Sequence, residues 1–284
     1  MKISVLTMMP DLFGDFLKGP VIERAVRKGA LEVRVIDIRS YAPGSFRHID
    51  DSPFGGGAGM VMRCQPVLDA LRACRGEVPA EPAGEKSASS APSEKGAKTL
   101  EKKRTLSEAA GSHTVILAPA GIPYTQKKAH EFAGVEHLIL ICGHYEGMDA
   151  RIYPHADELI SIGDYVLTGG ELAAQVVIDS VVRLLPGSLR EASTIEESFE
   201  NGLLEYPQYT QPAVYKGQAV PEVLRSGDHE RIRRWRLQQS LLLTKKMRPD
   251  LFAARELTRE EKELLAEAEG EEEQNSLALE EKGR

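Results

Sequence analysis

Three short stretches combine glycines with polar side chains at spacings suited to holding a ligand. Residues 160–172, ISIGDYVLTGGEL, run from an apolar, strand-like start through Gly163, Asp164 and Tyr165 to a Gly169-Gly170 pair that opens a helical pattern. A plain strand-to-helix turn needs one glycine at most, so two permissive points around Asp164, Tyr165 and Thr168 imply that something binds against the backbone. Residues 48–62, HIDDSPFGGGAGMVM, place four glycines within five positions after Asp50, Asp51 and Pro53. Such a loop lets amides approach a ligand closely, but no Lys-Ser/Thr follows Gly59, so it is not a phosphate loop. Residues 140–151, LICGHYEGMDAR, leave a strand through Cys142-Gly143 and bracket the carboxylate of Glu146 between Gly143 and Gly147. His144, Glu146 and Asp149 lack a recognised metal-ligand spacing. No nucleophile-base pair and no dinucleotide GxGxxG accompanies these loops. The inventory suits a ligand held mainly by backbone groups, with an adenine and a small polar tail.

The elements that must position these loops follow from hydrophobic periodicity. KISVLT, LEVRVIDI, TVILAP, HLILIC and ELISI read as short buried strands, and helical patterns cover 11–29, 65–75, 125–133 and 169–185. Alternating strands and helices predict an α/β domain with a largely parallel sheet, ending near Pro186-Gly187. The three loops then fall at the carboxyl ends of strands, where such sheets bind ligands. Residues 77–112 are nearly all Ala, Ser, Glu, Lys, Pro and Gly, and their composition predicts a disordered insertion. After residue 188 no further strand is expected. A polar linker over 189–203, a helical domain over 204–270 and an acidic tail over 271–284 complete the chain.

The 284 residues carry a formal charge of −7, and 42% of them are hydrophobic, as in an ordinary globular protein. No apolar run reaches the roughly 20 residues of a membrane span, and the start MKISVLTMMPDLF does not read as a signal peptide. Cys64, Cys74 and Cys142 form no CxxC pair, which points to reduced thiols and a cytoplasmic setting. Charge is uneven along the chain. Residues 260–284 hold ten Glu against Lys262, Lys282 and Arg284, which accounts for the whole negative excess. Residues 225–248 hold eight Arg and Lys against Asp228 and Glu230. That basic helix is either a phosphate-contacting surface, with Arg233 and Arg234 its central cations, or a solvated face. Trp235 reads as a core anchor of the helical domain rather than a base-stacking residue.

In order, DDSPFGGGAGM, CGHYEGMDAR, SIGDYVLTGGEL, GLLEYPQYTQP and SGDHERIRRWR closely resemble the bacterial tRNA (guanine-N1)-methyltransferases of the SPOUT class. The resemblance covers about residues 1–76 and 113–270. It implies an α/β domain with a deep trefoil knot and a small all-α C-terminal domain that grips tRNA. It also implies a homodimer and transfer of a methyl group from S-adenosylmethionine to N1 of guanosine-37, beside the anticodon, which maintains the reading frame. Nothing in the residues decides for or against Mg2+. The family's cofactor contacts map onto Gly143 and onto Ile162, Gly163, Asp164, Tyr165, Val166 and Leu167, with Gly169 and Gly170 close behind. Leu117, Ala118 and Pro119 form another wall, and Glu146 lies near the methionine end. Asp50 and Gly56 map to tRNA contacts. The catalytic arginine matches Arg183, and the catalytic aspartate position holds Glu197. His144 is a second departure, where the family pattern has Arg.

Two other functions are weighed against this one. A SPOUT enzyme acting on another RNA conflicts with the GLLEYPQYTQP segment, and a non-catalytic RNA-binding relative rests only on the Asp-to-Glu change at 197. Because residues 77–112 contribute almost no apolar surface, deleting 80–110 is expected to leave methylation and thermal stability nearly unchanged. A large fall in melting temperature would show that the segment packs.

Overall fold

A computed structural model describes residues 1–77, 111–189 and 196–282, with backbone alone over 271–282. The chain divides into two compact units, Met1–Arg190 and Glu191–Arg284. The strands of the first unit are β1 (Lys2–Thr7), β2 (Glu32–Asp37), β3 (Asp50–Asp51), β4 (Val61–Met62), β5 (Ser112–Pro123), β6 (His137–Cys142) and β7 (Glu158–Ser161). Its helices are α1 (Pro20–Arg27), α2 (Cys64–Arg75), α3 (Gln126–Ala133) and α4 (Glu171–Val182). Five strands form one sheet in the order β2-β1-β6-β5-β7, and every neighbouring pair is parallel. The pair β3-β4 is a separate antiparallel ladder.

Strand polarity explains the apolar runs. A parallel sheet covered on both faces needs hydrophobic residues at consecutive positions. In β6, Leu138, Leu140 and Cys142 join one core with Phe132, Val177 and Val181, while Ile139 and Ile141 join another with Val67 and Leu71. Local signals fix the helix ends. The Thr125 side chain accepts from the Lys128 amide at the start of α3, and Gly76 ends α2 in the left-handed conformation.

The helix predicted over 11–29 is corrected. Two 3-10 turns, Pro10–Phe13 and Phe16–Lys18, precede α1, because Gly14, Gly19 and Pro20 interrupt the ladder. The edges of the predicted insertion are also ordered. The Glu77 amide bonds to the Arg72 carbonyl, and β5 begins at Ser112; the rest of that segment, 78–110, lies outside the described residues.

β5 also runs longer than the predicted TVILAP, and its register decides the shape of the ligand edge. Ile160 of β7 pairs with both Leu117 and Ile122, so residues 118–121 arch out between the two pairings. At the foot of this arch, a Cβ on Gly121 would lie 2.3 Å from the Ile160 carbonyl carbon.

In the second unit the expectation that strands stop after 188 is corrected. β8 (Val214–Tyr215) and β9 (Gln218–Ala219) form a hairpin whose turn residues, Lys216 and Gly217, both have positive φ, as a type I′ turn requires. The helices are α5 (His229–Met247), α6 (Pro249–Ala253) and α7 (Arg259–Lys282). Leu203, placed in the predicted linker, is buried with Leu241, Leu264 and Leu265. The stretch read as an acidic tail from 271 continues α7 to Lys282. No helix among the described residues is long and apolar enough to cross a membrane.

The β5 arch generates a test. Gly121→Ala forces a methyl against the Ile160 backbone, and such overpacking costs about 1–3 kcal/mol. A melting temperature several degrees below wild type is expected by calorimetry; an unchanged value would show that the arch relaxes freely.

Candidate functional site

The carboxyl ends of β5, β6 and β7 surround a cleft of about 260 Å³, near the lower end of small-molecule pockets at about 300 Å³. The β5 arch forms one wall through Leu117, Ala118 and Pro119. The loop after β6, from Gly143 to Met148, forms a second wall. The loop after β7 closes the third side with Ile162, Gly163 and the run from Tyr165 to Gly170.

Backbone hydrogen bonds stitch these loops together. The Gly170 amide donates to the Gly143 carbonyl at 2.8 Å, and His144 bridges Gly169. No side chain fits between them, because a Cβ on Gly170 would sit 2.8 Å from the Cys142 Cα. Gly163 has φ +153°, and the Tyr165 ring lies where its Cβ would be, with the phenol donating to the Ile162 carbonyl at 3.3 Å. The glycines therefore shape the wall as well as leave its amides accessible.

The glycine-rich loop between β3 and β4 is clasped to the same edge. The Glu146 carboxylate accepts from the Met60 amide at 2.7 Å, and the Glu146 amide donates to the Met60 carbonyl. Met62 and Gly147, then Asp149 and Met62, continue this backbone pairing. Gly59, at φ +81°, is where the Glu146 carboxylate passes, since a Cβ there would lie 1.8 Å from it. Asp50 sits close enough for its charge, after the larger effect of burial, to push the Tyr145 phenol up.

Twelve of the thirteen sequence-derived cofactor positions line this cleft, and Asp164 does not. Tyr145, Met148, Tyr153, Ile160, Ser161, Thr168 and Ala173 also line it; no motif singled them out as contacts, although most neighbour residues that were. Gly56 lies in the clasped loop at φ +76° with open space around it. Arg183 caps the end of α4, away from the cleft lining. Glu197 belongs to the second unit, in a turn where its carbonyl accepts from the Glu200 amide. On α5, Arg233 pairs with Glu230 at 2.8 Å and with Glu260, while Arg234 pairs with Glu267 at 3.1 Å. Trp235 lies 6.4 Å from the Tyr209 ring in a tilted arrangement.

The wall chemistry fits a purine-bearing, positively charged ligand. Ile162 and Leu167 present apolar faces for a ring, and exposed backbone supplies donors and acceptors. Among the described residues the lining contains no Lys or Arg, and its one carboxylate is Glu146.

A doubly covered parallel sheet with a backbone-walled cleft at its carboxyl edge defines an α/β ligand-binding domain, here followed by a helical unit. Comparison with known proteins narrows the class. The family model for tRNA (Guanine-1)-methyltransferase TrmD matches residues 1–254. The tRNA (guanine-N(1)-)-methyltransferase of Geobacillus kaustophilus is 45% identical over 275 residues, covering 96% of this chain and all of the relative. The enzymes of that name from Heliobacterium modesticaldum and Bacillus cereus strain B4264 are 47% and 45% identical, each over 270 residues. These alignments cover 94% of this chain, with 90% and 98% of the two relatives respectively. The chain belongs to the tRNA (guanine-1)-methyltransferase family, of the SPOUT class.

The Gly59-Glu146 clasp can be measured as a coupling. Gly59→Ala is expected to destabilise the protein by about 1–3 kcal/mol in the wild-type background. In a Glu146→Ala background the clash disappears and only the backbone strain remains, so the cost should fall by roughly half. Denaturant titration of the four proteins measures this, and strict additivity would show that the carboxylate does not pass this point.

Proposed function

We propose that the protein transfers a methyl group from S-adenosylmethionine to N1 of guanosine-37 of tRNA, and so protects the reading frame. The observation that carries this reading is the backbone-walled cleft, free of Lys and Arg and built by the motifs shared with the family. Leu117, Ala118, Pro119, Ile162 and Leu167 would enclose the adenine, with amides from the Gly163–Gly170 loop hydrogen-bonding its edge. Gly143 and Glu146 would stand at the amino-acid end. When bound, S-adenosylmethionine supplies a methyl group on a sulfonium that departs as a neutral thioether.

The remaining chemistry falls to the chain. Guanine N1 carries a proton, which must leave as the N–C bond forms, and negative charge grows on O6. Glu197 accepts the proton, having a carboxylate basicity close to that of the family's aspartate. Arg183 donates to O6 and N7 with its planar fork. Asp50 and Gly56 place the clasped loop against the RNA. On α5, Arg233 and Arg234 reach phosphates by exchanging their exposed carboxylate partners for them, which is inexpensive because surface pairs contribute at most about 1 kcal/mol.

A homodimer and the trefoil knot belong to the same reading. Leu172 and Val176, four residues apart on α4, remain largely exposed, as does Leu12, whose carbonyl accepts from Gln175. This apolar face supports pairing with a second copy. A cytoplasmic location follows from the tRNA substrate and the free thiols.

Mass spectrometry of tRNA incubated with labelled S-adenosylmethionine tests the activity directly. Glu197→Gln should lose 10²–10⁴-fold in single-turnover methylation while still binding cofactor and tRNA. Arg183→Lys should also fall steeply, because a point charge cannot replace a two-pronged donor. Near wild-type rates for Glu197→Gln would place the base elsewhere, and loss in Glu196→Gln instead would shift the assignment by one residue.

A further inference from the structure

The first residue of α4, Glu171, is 97% buried. Its Oε1 accepts from the Thr7 hydroxyl at 2.7 Å. The Met9 amide donates to the same hydroxyl oxygen, so the single Thr7 hydrogen is directed to the carboxylate. No Lys, Arg or His pairs with Glu171 among the described residues. A carboxylate taken out of water without a counter-ion is expensive to keep. The first turn of α4 offsets part of that cost, because helix amides favour negative charge there.

The other carboxylate oxygen lies directly behind the cleft wall. A Cβ on Gly169 would fall 2.2 Å from Glu171 Oε2, so only a glycine lets the carboxylate come so close to the wall. Gly169, Gly170 and Ala173 line the cleft around it. The charge is felt just behind the lining, in the core: burial, and then Glu171, push the thiol of Cys142, the residue before Gly143, well above its ordinary range. With Glu146 in the lining and no Lys or Arg there, the cleft meets two carboxylates, and its one imidazole, His144, shares the Gly169 edge with Glu171.

A purely structural role, tying α4 to β1 through Thr7, would be served equally by a neutral glutamine. We propose that Glu171 is a specificity-determining residue for ligand charge: its carboxylate, acting through the side-chain-free wall at Gly169 and Gly170, favours a cationic methyl donor over the neutral thioether that remains after transfer. The donor is thereby held and the spent product released. This rests on the reading that the cleft takes S-adenosylmethionine.

The test compares Glu171→Gln with wild type in the full-length protein by calorimetric titration. Three probes are used: S-adenosylmethionine, its neutral product S-adenosylhomocysteine, and sinefungin, which carries an amine in place of the sulfonium. The expected result is about five- to tenfold weaker binding of the two cationic ligands, with S-adenosylhomocysteine changed by less than about twofold. Thr7→Val, which removes the hydroxyl and keeps the charge, should retain the wild-type preference. If the buried amide prevents folding, Glu171→Met, neutral and similar in volume, poses the same question with the same expected shift. Equal weakening of all three ligands, or no weakening, would overturn the proposal and leave Glu171 a structural tie. Failure of wild type to bind any of the three would instead overturn the reading of the cleft, and the proposal with it.

Discussion

The site depends on one constraint, the approach of backbone to backbone at the carboxyl edge of the sheet. The Gly170 amide meets the Gly143 carbonyl at 2.8 Å, and the arch of β5 passes over Ile160 with no room for a Cβ at Gly121. Everything else at that edge is placed relative to those contacts. The arch presents Leu117 to Pro119, the stitched loops present Gly143 and Gly163 to Gly170, and the Glu146 clasp ties the glycine-rich loop to the same frame. Two packed hydrophobic layers hold the strands rigid enough for such approaches to persist.

A wall made of backbone has a chemical consequence. Main-chain donors and acceptors are the same whatever the residue, so shape and hydrogen-bonding pattern are set by the fold, and only a few side chains remain to discriminate between ligands. Here those include the apolar Ile162 and Leu167, the Glu146 carboxylate and the buried Glu171 behind Gly169. A glycine wall transmits charge well because it keeps the carboxylate close and excludes water. The Gly169-Gly170 pair thus has two reasons to exist: Gly170 admits Cys142 and Gly143, and Gly169 admits Glu171 and His144.

Much of the first unit was legible because its signals are local. Strands buried on both faces read as unbroken apolar runs, and positive-φ positions such as Gly59 and Gly163 carry the residue that tolerates them. What escaped notice depends on contacts distant in sequence or on short breakers. Gly14, Gly19 and Pro20 cut a plausible helix into three pieces, although the apolar spacing over 11–29 looked continuous. The hairpin at 214–219 has strands of two residues each, too short for any alternation to register. Leu203 sits in a short Gly-Leu-Leu stretch with no apolar period, and it is buried because α5 and α7 supply its partners. Glu171 had no signal of its own, since a glutamate in the first turn of a helix is an ordinary choice that the helix dipole favours. Its meaning comes from Thr7, 164 positions away.

The charge pattern of the second unit shows how composition and structure answer different questions. By sequence, a strongly basic helix and a strongly acidic end look like two independent surfaces, one for RNA and one for solvent. In the fold they are partly one surface: Glu260, Glu267 and Glu269 of α7 pair with Arg233, Arg234 and Lys245 of α5. Arg225, Arg231 and Lys246 take part in none of the ion pairs among the described residues. The basic stretch is therefore graded, with some cations open and others held by carboxylates through exposed, weak pairs. A polyanion gains from the open cations at once and from the paired ones only by displacing α7 carboxylates. The acidic residues of α7, which carry much of the chain's negative excess, thus neutralise part of a basic face that composition alone would count as open.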